Sequence, residues 1–221
     1  MLITENLRGV TTIKNVSLII LFLKMCFIFG QGEFRKKIIV IDPGHGGKDP
    51  GAIGVNHFQE KDVVLDVAKE IVRLNQVLFM DKFEIYLTRY TDTMIALGDR
   101  AKLAKTLQAD IFVSLHCNHA DNPKAKGVEV YVSKREGIYQ EDSIWLGYLF
   151  EKSITDKLGF KSRGVKFANF QVLRQTVEFC PSVLLELGFL SNFTESNFFM
   201  DPSNVLTLGL LLLNNPILGS N

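Results

Sequence analysis

The chain has few cysteines and no excess of charge of either sign. Only three of its 221 residues are cysteine, and no two of them form a CxxC pair. This argues against a cysteine-rich structural zinc site. The 25 basic and 24 acidic residues leave a net charge of +1, and no long run of like charge occurs. The charge pattern therefore gives no reason to expect nucleic acid as a partner.

The sequence also lacks internal repeats and low-complexity linkers. Its 221 residues, of which 47% are hydrophobic, are enough for one sizeable core and too few for two comfortable domains. We therefore expect a single domain, covering residues 37–217.

No apolar run is long enough to be a good membrane-spanning helix. Residues 16–29 are apolar, but this run is shorter than the ~20 residues that a span needs, and Lys24 interrupts it. Arg8 and Lys14 precede the run and small residues follow it, which is the order of a secretory signal. Residues 1–32 therefore predict a cleaved signal peptide, with an uncleaved anchor or a disordered tail as alternatives. A signal peptide implies export to the periplasm or cell envelope.

Removal of such a segment would leave Cys117 and Cys180 as the remaining cysteines. In an oxidising compartment this even pair could form a disulfide. The alternative, at least as well supported, is two small buried hydrophobic residues in separate strands.

From residue 37 onward, short apolar runs alternate with stretches of helical periodicity. Several of the runs show no polar alternation, which is typical of strands buried on both faces. The pattern predicts an α/β fold, a three-layer sandwich with a mostly parallel central sheet flanked by helices. The predicted strands are residues 37–41, 83–88, 110–115, 128–132 and 182–187, and the predicted helices are residues 64–78, 99–107 and 142–158.

Four ionisable residues lie where these predicted elements begin or end. His45 is in a glycine-rich loop after the first strand, and His116 ends the third strand. Glu186 is near the end of the last strand, and Glu60 opens the first helix. Ligands of open α/β sheets bind beyond the carboxyl ends of the strands, so these side chains are expected to meet at one edge of the sheet.

Two imidazoles, one carboxylate and one spare carboxylate are the components of a catalytic zinc site. Three protein ligands leave the fourth position of zinc for a water molecule, whose pKa then falls to about 7. We expect one Zn²⁺ per chain, held by His45, His116 and one of the two glutamates, Glu60 or Glu186, and a hydrolase activity. Alone, either histidine is more often a satisfied or exposed side chain, and Glu60 could be only a helix-start acid. Glu186 interrupts an apolar strand, where an unpaired carboxylate would cost several kcal/mol, so a cationic neighbour is expected.

Two further residues are candidates for supporting roles. Asn118 lies two residues after His116 and could point the same way, so we expect it to contact substrate or to support the site. Asp42 precedes the glycine-rich loop and could accept a hydrogen bond from a ligand histidine.

Seven ordered blocks between residues 37 and 195 resemble the zinc-dependent N-acetylmuramoyl-L-alanine amidases of bacterial cell walls. Their number and order make this resemblance far more specific than a single motif. The blocks are IDPGHGGKDPGAIG (41–54), EKDVVLDVA (60–68), YLTRYTD (86–92), ADIFVSLHCN (109–118), GVEVYV (127–132), RGVKFANFQVLRQT (163–176) and PSVLLELGFLSN (181–192).

The resemblance implies that His45, Glu60 and His116 bind zinc and that Glu186 is the catalytic glutamate. It implies hydrolysis of the amide between N-acetylmuramic acid and the L-alanine of the stem peptide in peptidoglycan, with Glu186 moving the protons. Some relatives carry a long inhibitory insertion between the fifth and sixth blocks. Here only about thirty residues (133–162) separate those blocks, so no autoinhibitory insertion is expected. An activator protein is left open, and the chain is expected to be a monomer.

After residue 192 the resemblance decays, because residues 206–213 are nearly all apolar where the family has an amphipathic helix. This end is expected to pack poorly or to be truncated. Two other functions stay open: another zinc peptidase acting on stem peptides, and a catalytically inactive wall-binding relative.

Overall fold

The computed structural model describes Val16, Phe22, residues 35–215 and Leu218. The chain divides into two units, residues 1–35 and residues 36–221. The predicted signal segment, residues 1–32, lies outside the described residues apart from Val16 and Phe22. Among the described residues, no helix combines the length and the apolar character needed to cross a bilayer.

Residues 36–221 contain six strands and six helices among the described residues. The strands are β1 (Ile38–Pro43), β2 (Glu84–Leu87), β3 (Ile111–Asn118), β4 (Val128–Ser133), β5 (Ser162–Ala168) and β6 (Ser182–Phe189). The helices are α1 (Glu60–Leu78), α2 (Leu97–Thr106), α3 (Gln140–Leu158), α4 (Gln171–Thr176), α5 (Phe193–Met200) and α6 (Pro202–Leu213).

The six strands form one mixed sheet in the order β2-β1-β3-β6-β4-β5. Strands β2, β1, β3 and β6 are mutually parallel, and β4 pairs antiparallel with β6. Strand β5 then pairs parallel with β4 at the edge. The predicted α/β fold with a mostly parallel sheet between helical layers is therefore confirmed.

Alternate residues of the central strands enter two separate hydrophobic cores, one on each face of the sheet. The first core contains Val113 and Leu185 together with buried residues of α1, α3 and α6. The second contains Phe112 and Leu184 together with buried residues of α2 and α4. Because Glu186 alternates with Leu185, it lies on the same face as the second core.

Strand β5 was missed in the sequence because charge and glycine hide its periodicity. Arg163, Gly164 and Lys166 interrupt the segment, and its residues are half-buried or exposed, as is common at the edge of a sheet. The short helices α4 and α5 were missed because six and eight residues give too few turns for a helical period to show.

Helix α6 overturns the expectation that the apolar C-terminal segment packs poorly. Its N-terminus is capped by Asp201, whose side chain accepts a hydrogen bond from the amide of Ser203 at 2.8 Å, and Pro202 begins the first turn. Leu208 and Leu212 are buried in the first core beside residues of α1. The segment is apolar around most of its surface because much of that surface is buried.

Cys117 and Cys180 are both buried and free. Cys117 belongs to the first core and Cys180 to the second, on the opposite face of the sheet. The structure therefore favours two small buried residues over a disulfide.

Candidate metal centre

The glycine-rich loop after β1 presents His45 in an uncommon backbone conformation. Its φ is 58°, in the left-handed region. Two glycines make room for the neighbouring side chains: a Cβ on Gly44 would lie 2.3 Å from Cε1 of His116, and one on Gly51 would lie 2.5 Å from Oε2 of Glu60. The density of glycine in this loop therefore serves close approach of the backbone to the site.

Glu60, the first residue of α1, lies at the centre of the site. Its side chain is almost fully buried, and its Oε2 accepts a hydrogen bond from the amide of Ala52 at 2.8 Å. Its Oε1 accepts one from the amide of Cys117 at 3.0 Å. These two amides hold both oxygens of the carboxylate in place.

Both histidine rings approach the same carboxylate oxygen. Nδ1 of His116 lies 2.9 Å and Nε2 of His45 lies 3.1 Å from Oε1 of Glu60. Potential metal-binding atoms of the three residues lie within 4.8 Å of one another. Burial alone would raise the pKa of Glu60, but the bonds from His116 and His45 outweigh it and hold that pKa well below its usual range.

The same contacts shift the pKa of His45 in the opposite direction. Burial favours its neutral ring, but the carboxylates of Glu60 and Asp49 outweigh this and raise its pKa to about 9. The site therefore attracts positive charge strongly, which is the electrostatic requirement for binding a divalent cation.

Glu186 faces this cluster from β6. It is directly paired with His116 in the parallel register of β3 and β6. Its Oε2 is sealed from solvent and has no hydrogen-bond partner among the described residues. Burial, with the nearby charges of Glu60 and Glu129 opposing the attraction of His116, raises the pKa of Glu186 to about 7. Both protonation states of this carboxyl are therefore accessible near neutral pH.

Asp49, which the sequence did not single out, orients His45. Its Oδ2 lies 2.8 Å from Nδ1 of His45, the ring nitrogen that faces away from Glu60. Carboxylates in this position fix the ring and strengthen it as a metal ligand. The available signal was the position of Asp49 four residues after His45 in the same loop.

Asp42, the predicted partner of a ligand histidine, is connected to His45 only indirectly in this structure. Its Oδ1 accepts hydrogen bonds from Thr88 and Arg100, and its Oδ2 accepts one from Ser114. Arg100 in turn donates to the backbone carbonyl of His45 at 2.7 Å. Asp42 is thus connected to His45 through the guanidinium of Arg100, and its predicted contact with a histidine ring stays a prediction.

A second arginine supports the same loop. Arg89 donates to the carbonyl oxygens of Pro43 at 3.0 Å and of Gly44 at 2.8 Å. Arg100 also donates to the carbonyl of Pro43, at 2.7 Å. The two buried guanidinium groups therefore satisfy the carbonyls of the tight turn that carries His45.

Asn118, the predicted substrate contact, supports a neighbouring carboxylate. Its amide nitrogen donates to Glu129 at 2.6 Å, and its Oδ1 accepts from the amide of His119. Glu129 is paired with Glu186 in the antiparallel register of β4 and β6. The geometry therefore favours the supporting role over direct contact, and a contact with substrate stays a prediction.

A cavity of about 480 Å³ opens beside these residues. Its floor includes His45, His116 and Glu186, and the segment of residues 94–97 forms one wall. Phe170 and the start of α4 form part of another wall. The polar groups converge on one end of a partly apolar cleft, as in most ligand sites.

The fold and this cluster define a class of protein, an α/β sandwich with a candidate His-Glu-His metal centre at the carboxyl ends of its parallel strands. The family model described as N-acetylmuramoyl-L-alanine amidase matches residues 39–209. The chain belongs to this family.

Curated relatives of the chain include proteins that are named as amidases. The chain is 38% identical over 160 residues to N-acetylmuramoyl-L-alanine amidase LytC of Bacillus subtilis (strain 168), a match that covers 72% of this chain and 30% of the relative. It is 37% identical over 173 residues to the probable cell wall amidase LytH of Staphylococcus epidermidis (strain ATCC 12228), covering 77% of this chain and 54% of the relative. The chain thus matches only 30% to 54% of the length of these relatives.

Solved structures of similar size show the same architecture. The catalytic domain of the amidase CwlV from Bacillus (Paenibacillus) polymyxa is 33% identical with a TM-score of 0.71, and the match covers 81% of this chain and 96% of that domain. The N-acetylmuramoyl-L-alanine amidase of Clostridium difficile 630 is 29% identical with a TM-score of 0.74, covering 82% of this chain and 95% of the other.

Proposed function

We propose that this chain is a zinc-dependent N-acetylmuramoyl-L-alanine amidase, which hydrolyses the amide between N-acetylmuramic acid and L-alanine in peptidoglycan. One observation carries the proposal: His45, Glu60 and His116 converge beside Glu186 in a chain of the amidase family. Cell-wall remodelling or separation of daughter cells would be the cellular role.

The donor set fits zinc. Two imidazoles and a carboxylate are a common ligand set of catalytic zinc, and no cysteine thiolate is needed to complete it. When bound there, zinc would polarise the scissile carbonyl and lower the pKa of a water molecule. The carboxylate of Glu60 is held ionised by its histidine neighbours, and Asp49 holds His45 in the orientation that turns Nε2 towards Glu60.

Glu186 supplies the proton transfers. With a pKa near 7, its carboxylate can accept a proton from the attacking water and then give it to the departing amine of L-alanine. Its Oε2 has no hydrogen-bond partner among the described residues, so no neighbouring side chain in that part of the structure fixes the protonation state of the carboxyl through this oxygen. The two arginines that hold the His45 loop limit the movement of the ring during turnover.

Mass spectrometry of digested peptidoglycan tests the proposal. Purified wall is incubated with the zinc-loaded protein, and the products are separated into peptides and glycans. Free stem peptides that begin with L-alanine, together with intact glycan, are expected. Shortened peptides still attached to glycan would identify a peptidase instead, and unchanged wall would identify a binding protein.

A matched variant connects the products to the site. Glu186→Gln keeps the shape of the side chain but cannot accept the proton, so it should keep zinc and lose most turnover. Glu141→Gln, an exposed change at the start of α3, is the control and should leave the product pattern unchanged. Loss of zinc from Glu186→Gln would instead make Glu186 a ligand.

We also propose export to the periplasm or cell envelope, supported by the order of basic, apolar and small residues in 1–32, and a monomeric state. Fusion of residues 1–32 to a periplasmic reporter tests export, since a reporter that stays in the cytoplasm would contradict it. Light scattering of the purified protein measures the mass of the particle, and a dimer mass would contradict the monomer.

A further inference from the structure

A row of charged side chains crosses the same face of the sheet as Glu186. The registers place His116 beside Glu186 and Glu186 beside Glu129, on β3, β6 and β4. On β5, Lys166 is paired with Tyr131, which shares its face with Glu129 because the two are separated by one residue. The row therefore continues from the metal centre to the edge strand, where it ends in positive charge.

Glu129 at the centre of this row is completely occupied by donors. The residue is 3% exposed, and its Oε1 accepts from Asn118 at 2.6 Å and from the hydroxyl of Tyr131 at 2.9 Å. Its Oε2 accepts from Nε of Arg163 at 2.7 Å and from the ammonium of Lys166. A buried carboxylate with four donors is satisfied, so it needs no further neutralisation.

Arg163 and Lys166, here called the β5 cation pair, are in a different position. They share one carboxylate, and their side chains are 31% and 38% exposed. A guanidinium has five N–H donors and an ammonium has three. Among the described residues only Nε and Nη1 of Arg163 and one bond of Lys166 are used, so further donors face solvent.

Glu195, another acid that senses the charge of Arg163, does not use these donors. Burial raises the pKa of Glu195, although the hydrogen bonds from two backbone amides and the charges of Lys126 and Arg163 oppose this shift. Its oxygens accept from the amides of Gly127 at 2.8 Å and Phe189 at 2.7 Å. Arg163 itself lies over the ring of Phe189, with 4.9 Å between its guanidinium carbon and the ring centroid, which fixes its direction.

We propose that the β5 cation pair binds the free carboxylate of the second residue of the stem peptide, and so selects peptides in which that group is an acid over those in which it is an amide. This inference rests on the proposed amidase function. The pair lies two strands from Glu186, which is roughly 10 Å at ~4.8 Å per strand. An extended peptide advances ~3.5 Å per residue, so a carboxylate on the second residue beyond the scissile amide falls within reach.

Cleavage of two synthetic muramoyl tripeptides tests this inference. They are identical except that the second residue is D-glutamate in one and D-isoglutamine in the other. The unaltered protein should cleave the acid form with the higher kcat/KM, roughly tenfold or more, because charge-assisted hydrogen bonds are lost with the amide. Lys166→Gln and Arg163→Gln should lower kcat/KM for the acid form by the larger factor, mainly through KM, so that the preference for the acid form over the amide form falls.

Two further variants separate selection from a structural role. Lys166→Arg keeps the charge and should retain preference for the acid form. Lys152→Gln removes a positive charge from an exposed site on α3, where Lys152 pairs with Asp156 at 2.7 Å. This variant should leave kcat/KM for both substrates unchanged. Zinc content and thermal midpoint are measured for every variant.

The outcomes distinguish this inference from the function on which it rests. If the unaltered protein cleaves neither tripeptide and releases no stem peptide from wall, the proposed function fails. If it cleaves both tripeptides equally, or if Lys166→Gln and Arg163→Gln lower both rates by the same factor, the amidase function stands and the carboxylate subsite is overturned.

Discussion

Nδ1 of His116 lies 2.9 Å from Oε1 of Glu60, although the two residues are 56 positions apart in the chain. The contact joins the end of β3 to the start of α1 and places an imidazole ring beside a carboxylate. The same oxygen also faces Nε2 of His45. Glu60 is therefore the residue on which the geometry of the candidate metal centre depends most.

Glu60→Gln should remove most of the bound metal. The amide would replace one oxygen by an NH₂ group, which cannot accept the hydrogen bond that the amide of Ala52 or Cys117 donates to that oxygen, and the negative charge that attracts a cation would be lost. Elemental analysis of protein purified with zinc should find near-stoichiometric metal in the parent and a small fraction in the variant. Asp62→Asn, an exposed change in the same helical turn, is the control and should keep its zinc. Full occupancy of Glu60→Gln would contradict the assignment.

Zinc affinity should rise with pH up to about 9. His45 has a pKa raised to about 9 by Glu60 and Asp49, so at lower pH a proton must leave the ring before the metal can bind. Each pH unit below 9 should then weaken apparent binding up to about tenfold from this group alone. Competition with a chromogenic chelator between pH 6 and 9 measures the slope. A flat affinity over that range would contradict the predicted ionisation of His45.

Asp49→Asn should weaken zinc binding without abolishing it. The amide keeps the size of the side chain but loses the charge that faces Nδ1 of His45 at 2.8 Å. Loss of such an outer partner costs about 10- to 100-fold in metal affinity. The same competition assay at one fixed pH measures the change, and Asp92→Asn, which alters another acid beside the loop, is the comparison. Equal affinities for Asp49→Asn and the parent would remove Asp49 from the site.

The position of Glu186 predicts a pH-dependent effect on stability in the presence of a chelator. Its pKa is raised to about 7 in the folded chain from an ordinary value of 4.5, so the folded state holds its proton more tightly than the unfolded state. Its contribution is therefore most favourable below about pH 4.5 and is lost as pH rises through 7. The whole shift amounts to at most about 3 to 4 kcal/mol, at about 1.4 kcal/mol per pKa unit.

Glu186→Gln does not titrate, so its thermal midpoint relative to the parent should increase from pH 5 to pH 8. A difference of a few degrees is expected for a domain of this size. Glu141→Gln, exposed at the start of α3, should show no such trend. If the difference between Glu186→Gln and the parent stays constant with pH, the carboxyl of Glu186 is already ionised at pH 5.

Five of the six strands could be read from the sequence, and so could the position of the four central site residues at the ends of predicted elements. The parallel strands are apolar runs without alternation, and their carboxyl ends carry His116 and Glu186. Parallel pairing brings such ends together whatever their separation in the chain. Position therefore predicted that these side chains meet, whereas the separate roles of Glu60 and Glu186 were predicted only from the resemblance to the amidase family.

The surroundings of the site could not be read in the same way. The oxygens of Asp42 accept hydrogen bonds from Thr88, Ser114 and Arg100, which come from distant parts of the chain, and Arg100 connects Asp42 to the backbone of His45. Asp49 meets His45 only because the loop turns back with His45 at a φ of 58°. Such contacts depend on tertiary packing and loop conformation, which sequence periodicity does not encode.

Helix α6 should be essential to the stability of the domain, contrary to the expectation from its composition. Leu208 is 1% exposed within the first core, so Leu208→Ala would leave a cavity between α6 and the elements that it covers. A loss of about 2 to 5 kcal/mol in the free energy of unfolding is expected. Leu206 in the same helix is 36% exposed, and Leu206→Ala should cost well under half as much. Urea denaturation with constant m-values measures both changes. Equal, small losses in the two variants would show that α6 does not pack on the core.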